Sequence, residues 1–503
     1  MDEAKKVIIT GIPERINQRQ QAALPVSRWV LLASLVLGFL GCLILGLGED
    51  TVLLILSLVI YGLSAYVLVR QAGGLIITPT TLFFLLFTIF TYIGGLILFF
   101  SNGEGVSYGG GDRNYTFYLV IHMGILALVL GVLFAAISFR FSPRRELNLF
   151  RRTPWRDVHD LPGDTIFIAL VGIVALFMSM WFMYSRGTLP LIEALMAQGR
   201  ENVYELAVTA RAEYSRYGRG AGQYFYQGYF QQFYIVILPF VTIYVGSKYL
   251  HYRRAGLLIL WIVLGIITTF FLTMSLQRWP LMFFVIMNYV VYASYIGRIR
   301  VAHALFFAIV TLALFSSLTY IRGSENLAIA MHWVVTRIFM VNVDVLYSIL
   351  EMFPEHFAFF GGQAILSDLK GLLPGPNVGF TRWLFDALYR VYGNGTASTM
   401  LWGELYADFG LGGVWISSLL VGFVMQSVYI TFIRGRKNLL RLVLYTFLFV
   451  ASGLLAIGGL VGIIIQFGIV TLLLLIAALN TMRWVLSAGP IITAQTRALP
   501  SFS

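Results

Sequence analysis

The stretch from Leu442 to Asn480, LVLYTFLFVASGLLAIGGLVGIIIQFGIVTLLLLIAALN, contains no charged residue. A single membrane-crossing helix needs about 20 apolar residues. This run is about twice that, so it predicts two spans, with AIGGLVG (456–462) supplying the turn between them. The same pattern recurs upstream at Trp29–Leu47, Thr51–Val69, Thr80–Phe100, Thr116–Phe139 and Thr165–Tyr184. It continues at Phe230–Gly246, Ala255–Met274, Pro280–Ile296, Val301–Tyr320 and Leu411–Phe432. The expectation is therefore an all-α polytopic membrane protein of about 12 transmembrane helices.

Composition agrees. Of the 503 residues, 59% are hydrophobic and only 12% charged. Soluble domains carry roughly 25% charged residues, so a soluble globule could not cover its surface with this supply. Disorder is excluded by the abundance of aromatic and branched side chains. The single cysteine, Cys42, rules out an intrachain disulfide and a cysteine-based metal site.

The predicted organisation is a cytoplasmic tail (1–28), helices 1–5 (29–184), a first large outer loop (185–229) and helices 6–9 (230–320). A second large outer loop (321–410), helices 10–12 (411–482) and a second cytoplasmic tail (483–503) complete it. The polar 28-residue start places the first apolar run too late for a cleaved signal peptide. With both termini inside, the cytoplasmic segments hold 23 Lys+Arg and 7 acids, and the outer segments 12 and 16. The net charge of +12 then divides into +16 inside and −4 outside, as the positive-inside rule requires. The basic excess orients the chain and does not point to nucleic acid.

The outer face keeps a set of arginines on the side where that rule disfavours them. Arg186, Arg200, Arg211, Arg216 and Arg219 lie in the first loop, and Arg322, Arg337, Arg382 and Arg390 in the second. Interleaved acids would pair with many of them on the surface. Arg278, in SLQRWP, differs because no acid is near it in sequence and it sits at the outer membrane boundary. Arg322, in TYIRGSEN, ends a span at a similar depth. Two arginines at one depth make a diphosphate clamp plausible, since guanidinium forks onto phosphate oxygens. Arg211 and Arg382 each precede a glycine by eleven positions, a spacing that 30 arginines also produce by chance. Leu327–Phe353 is amphipathic, and is expected to lie on the membrane, re-enter it or cross it.

In GNGTASTMLWGELYADFGLGGVW (Gly393–Trp415), Glu404 and Asp408 are four residues apart, which puts both carboxylates on one helix face. They either cap a helix at a polar boundary or present a carboxylate to a cavity, where it could take a proton from a sugar hydroxyl. His122 inside the fourth span reads as a packed residue. No phosphate-binding GxxxxGK[ST] loop, GxSxG elbow or DxD pair is present, and neither a metal nor a cofactor is expected. The spans carry almost no ionisable residues and show no internal repeat, against a transporter such as a lipid-linked oligosaccharide flippase.

The run GELYADFGLGG (403–413) after a long outer loop resembles bacterial O-antigen polymerases, the Wzy-type oligosaccharide repeat-unit polymerases. QRWPL (277–281), YIRG (320–323) and RIF (337–339), followed by a Pro- and Gly-rich loop, agree with it. The resemblance covers roughly Ser275 to Trp415. It implies glycosyl transfer on the outer face of a bacterial inner membrane, from undecaprenyl diphosphate carrying a growing glycan to a lipid-linked repeat unit, building O-antigen, capsule or exopolysaccharide. The related O-antigen ligases share the architecture, so transfer of the glycan to another acceptor stays open. On this reading Arg278 and Arg322 hold diphosphate, with Arg337, Arg382, Arg211 and Asp408 on diphosphate or glycan and Glu404 as base. The aromatic run QYFYQGYFQQFY (Gln223–Tyr234) would stack on sugars or form an interfacial belt. Membrane lipid, a chain-length regulator and a flippase are the partners implied.

Overall fold

The computed structural model describes residues 49–73, 78–100, 114–155, 162–186, 189–197, 206, 227–297, 301–323, 326–370, 379–389, 397–466 and 468–482. The tails, the first expected span, Arg211 and Arg390 lie outside them. Every regular element among these residues is a helix. In chain order they are α1 (Glu49–Gln71), α2 (Pro79–Phe100, with a π turn at Thr88–Tyr92), α3 (Asn114–Ser138), α4 (Pro143–Arg152), α5 (Pro162–Arg186) and α6 (Pro190–Met196). Next come α7 (Gln227–Gln232, a π turn at Phe233–Ile237, then Leu238–Tyr252), α8 (Ala255–Met274), α9 (Arg278–Ile296) and α10 (Val301–Ile321). The rest are α11 (Leu327–Phe339), α12 (Val341–Met352), α13 (Gln363–Lys370), α14 (Phe380–Tyr389), α15 (Met400–Arg434), α16 (Leu439–Leu454) and α17 (Leu460–Gln466), with helix again over 469–482.

Nine helices among the described residues are long and apolar enough to cross a membrane. The pair α11–α12, bent by 42°, would make a tenth. Helices lie over the expected spans within the described residues, although those of α10 and α16 are shorter apolar helices, and the break between α16 and α17 (455–459) overlaps AIGGLVG. One boundary differs. The helix expected to start at Leu411 begins at Met400, so the second loop ends eleven residues earlier. The glycines at 410, 412 and 413 are inside it, where Gly410 (φ 62°, ψ −154°) kinks the helix. That backbone geometry favours glycine. The kink leaves the carbonyls of Ala407 and Asp408 without their partners one turn on, and they accept instead from the amides of Phe360 (3.0 Å) and Gly361 (2.9 Å). Part of the second loop is thus bonded onto α15.

α15 is packed most closely against α3. The two backbones approach at Gly131 and Gly422: a Cβ on Gly131 would lie 2.0 Å from the Leu419 carbonyl, and one on Gly422 2.2 Å from that of Leu128. Small residues let membrane helices come this close, which lipid cannot drive by hydrophobicity. Trp402, fully buried, then fixes the helix end that meets the site. Its ring packs edge-on to Phe87 at 4.8 Å, and its Nε1–H donates to Ser418 Oγ at 2.8 Å. Gly422→Leu is expected to separate the helices at a cost of about 1–3 kcal/mol or more. A melting curve of the detergent-solubilised variant that matches the unaltered protein would contradict this packing.

Candidate functional site

Three of the predicted arginines come together. Arg278, Arg322 and Arg337 line one cavity of about 490 Å³, together with Asp368, Thr399 and Gly459. Its remaining wall is largely apolar, including Phe90, Met282, Phe315 and Ile338. The arginines belong to three separate segments, and each is placed by local backbone chemistry.

Arg278 opens α9. Before it, Leu276 is in the left-handed region (φ 52°) and fully buried. A left-handed conformation is costly for a leucine, so burial of its side chain must hold it there. The turn it makes brings Gln277, Arg278 and Trp279, the first residues of the helix, to the cavity wall. The N-terminal end of a helix carries partial positive charge and unsatisfied amides. Pro280, third in the helix, gives up no hydrogen bond because an amide there has no partner in the helix. Arg322 follows the last residue of α10 in a turn closed by Gly323 (φ 105°), whose amide donates to the Tyr320 carbonyl at 3.0 Å. Arg337 is in the last turn of α11. α11 is held close to α2 at Gly94, where a Cβ would collide with the Phe339 carbonyl.

Asp368 is the carboxyl group of this cavity, and the sequence reading did not single it out. Its Oδ1 accepts from the Phe380 amide at 3.0 Å. Burial, with the nearby Asp408 adding like charge, outweighs that bond and pushes its pKa up to about 6. No arginine is within ion-pair distance of it among the described residues. The acid and the three arginines line one cavity, whose chemistry suits a ligand with an anionic end and a hydroxyl end.

Glu404 and Asp408 are placed otherwise than as cavity groups. Asp408 is buried, with Oδ1 accepting from the Ala364 amide (2.9 Å) and Oδ2 from that of Ile365 (3.1 Å). It caps the N-terminus of α13, and its expected place on substrate is not supported by geometry. Glu404 is fully buried and does not line the cavity. Its Oε2 accepts from the Leu460 amide at 2.6 Å, capping α17. It lies just behind the wall: a Cβ on Gly459 would be 2.4 Å from that oxygen and 3.2 Å from the Thr399 hydroxyl. Glu404 Oε1 and Thr399 Oγ1 have no hydrogen-bond partner among the described residues. The wall itself is strapped together by Ser398 Oγ donating to the Ile457 carbonyl and by the Leu401 amide donating to that of Leu455 (3.0 Å).

Arg382 is on α14 and does not line the cavity, although its neighbour Thr381 does. The described part of the aromatic run turns inward: Phe230 packs on Trp181 at 4.9 Å and Tyr234 is fully buried beside Phe182. His122 is buried and stacked on Tyr118 at 5.9 Å. No three His, Cys, Asp or Glu side chains gather as a metal site would need among the described residues. In comparisons with known proteins, the chain matches no family model, no curated protein and no solved structure.

Proposed function

We propose that this chain is a membrane glycosyltransferase that draws its glycan from a polyprenyl-diphosphate donor and adds it to a sugar hydroxyl of a lipid-linked repeat unit. The observation that carries the reading is the convergence of Arg278, Arg322 and Arg337 on one cavity that also holds a carboxyl, Asp368, in no ion pair among the described residues. Diphosphate is the ligand that three guanidinium groups and a helix N-terminus suit best. Undecaprenyl diphosphate, in the bacterial inner membrane, is the donor the sequence resemblance implies.

The chemistry follows from that placement. The acceptor hydroxyl passes its proton to Asp368 as its oxygen bonds to the anomeric carbon of the donor. The bond from that carbon to the diphosphate oxygen breaks, and the electron pair leaves with the lipid diphosphate. The arginines stabilise the charge that builds there, a preorganised electrostatic effect. Asp368 thus takes the role for which spacing nominated Glu404, while Glu404 and Asp408 hold the surrounding helices. Neither a nucleotide nor a metal is needed to bind the donor.

Purified full-length protein, supplied only with a lipid-linked oligosaccharide repeat unit, is expected to release lipid diphosphate and build a ladder of longer lipid-linked glycans. Failure of the ladder with the donor bound, and transfer instead to a non-repeat acceptor, would move the assignment to ligation. Absence of any donor binding would remove the reading altogether.

A further inference from the structure

The opposite end of α15 meets a second charged region, unconnected with the cavity. α4, PRRELNLFRR, joins two helices that are each long enough to cross a membrane, α3 and α5, so it lies at one membrane surface. Its apolar side faces the protein: Leu147 and Phe150 are buried. Arg144, Arg145, Arg151 and Arg152 are exposed.

Two contacts fix which side looks out. Glu146 receives a forked pair of bonds from Arg434 at the end of α15, at 2.7 and 2.6 Å. Lys437, buried in the turn before α16, donates to the Thr153 carbonyl at 2.7 Å and stands 4.0 Å over the Phe150 ring. Among the described residues of 139–155 and 434–441 Glu146 is the only acid, and Arg434 occupies it, so no ion pair to the four exposed arginines occurs among those residues; Asp157 and Asp160 follow in sequence.

One residue on the outward side is apolar. Leu149 is 67% exposed, four positions after Arg145 and three before Arg152, and so on one face with both. A single outward leucine is ordinary in itself, but this one has an arginine one turn away on either side. That is the arrangement of an interfacial helix, in which the leucine enters the acyl boundary and the arginines reach headgroup phosphates.

We infer that α4 is a docking surface for anionic phospholipid, with Arg144, Arg145, Arg151 and Arg152 on headgroup phosphates and Leu149 among the acyl chains. The leucine is what selects lipid over a free phosphate. The inference does not depend on the transferase reading.

The test uses full-length protein in neutral detergent, titrated with phosphatidylglycerol, phosphatidylcholine or glycerol 3-phosphate, with adducts counted by native mass spectrometry. Each arginine near an anionic surface is worth about fivefold in affinity, and the four together at least about a hundredfold. Phosphatidylglycerol is expected to bind in strong preference to phosphatidylcholine. R144Q/R145Q/R151Q/R152Q is expected to lose that preference, and L149S to weaken binding of both lipids. Should the fourfold variant not fold, R145Q and R152Q singly are each expected to cost about fivefold. Equal binding of the two lipids, an unchanged preference in the arginine variants, or competition by glycerol 3-phosphate as strong as that by phosphatidylglycerol would each overturn the inference.

Discussion

Arg278→Ala is expected to reduce glycan transfer by about 100- to 1,000-fold, the loss that follows removal of one preorganised donor from a developing anion. Of the three cavity arginines this one is placed most firmly. The left-handed Leu276 turn and the first turn of α9 set its position, so its geometry is built before any ligand arrives. Arg278→Lys is also expected to fail, by at least about tenfold, because an ammonium presents a point charge where a planar fork meets two phosphate oxygens. A melting curve of each purified variant separates a loss of rate from a loss of fold, since the side chain lines the cavity. Single-round transfer with purified protein reads the effect. Transfer by the alanine variant at the rate of the unaltered protein would falsify the diphosphate assignment.

What was legible in the sequence follows from what depends on local pattern. The spans were legible because lipid demands about 20 apolar residues in a row, whatever the tertiary structure. Arg278 and Arg322 were legible because each stands at the outer end of a span, Arg278 with no acid near it in sequence, whereas Arg337 was singled out only through the resemblance. The sequence could not say that the three would share one cavity while Arg382 stayed off it. Glu404 and Asp408 show the limit most clearly. Their spacing established a shared face, and nothing in it said that the face meets the N-termini of α13 and α17. Caps from distant segments leave no local signature. The kink at Gly410 was not legible for a related reason, because it rests on carbonyls of Ala407 and Asp408 that are taken up by amides of the second loop. Asp368 was invisible altogether: in LSDLKG it looks like a solvated acid. Its burial comes from α14 and α15 packing around α13.

That burial gives Asp368 a testable pH signature. Its pKa of about 6 is above its ordinary value of 3.8, so the fraction of protein with an ionised base rises as pH climbs through about 6. Transfer should rise over the same interval and level off above it. Asp408, on α15, adds like charge and favours the proton, and the three arginines line the same cavity. Asp368→Asn is expected to lose about 100- to 10,000-fold of the rate, the usual worth of a general base, and to flatten the acid limb. Asp368→Glu should keep the limb and part of the rate. The stability consequence has the opposite sign from a structural role. Because the folded state holds this proton more tightly than the unfolded chain, the group favours folding below about pH 4 and that contribution fades as pH rises through about 6. Asparagine removes the buried charge, so at pH 8 the variant should melt no lower than the unaltered protein while being inactive. A variant that melts lower in step with its lost rate would make Asp368 a structural residue, and one that keeps both rate and acid limb would return the search for the base to Glu404.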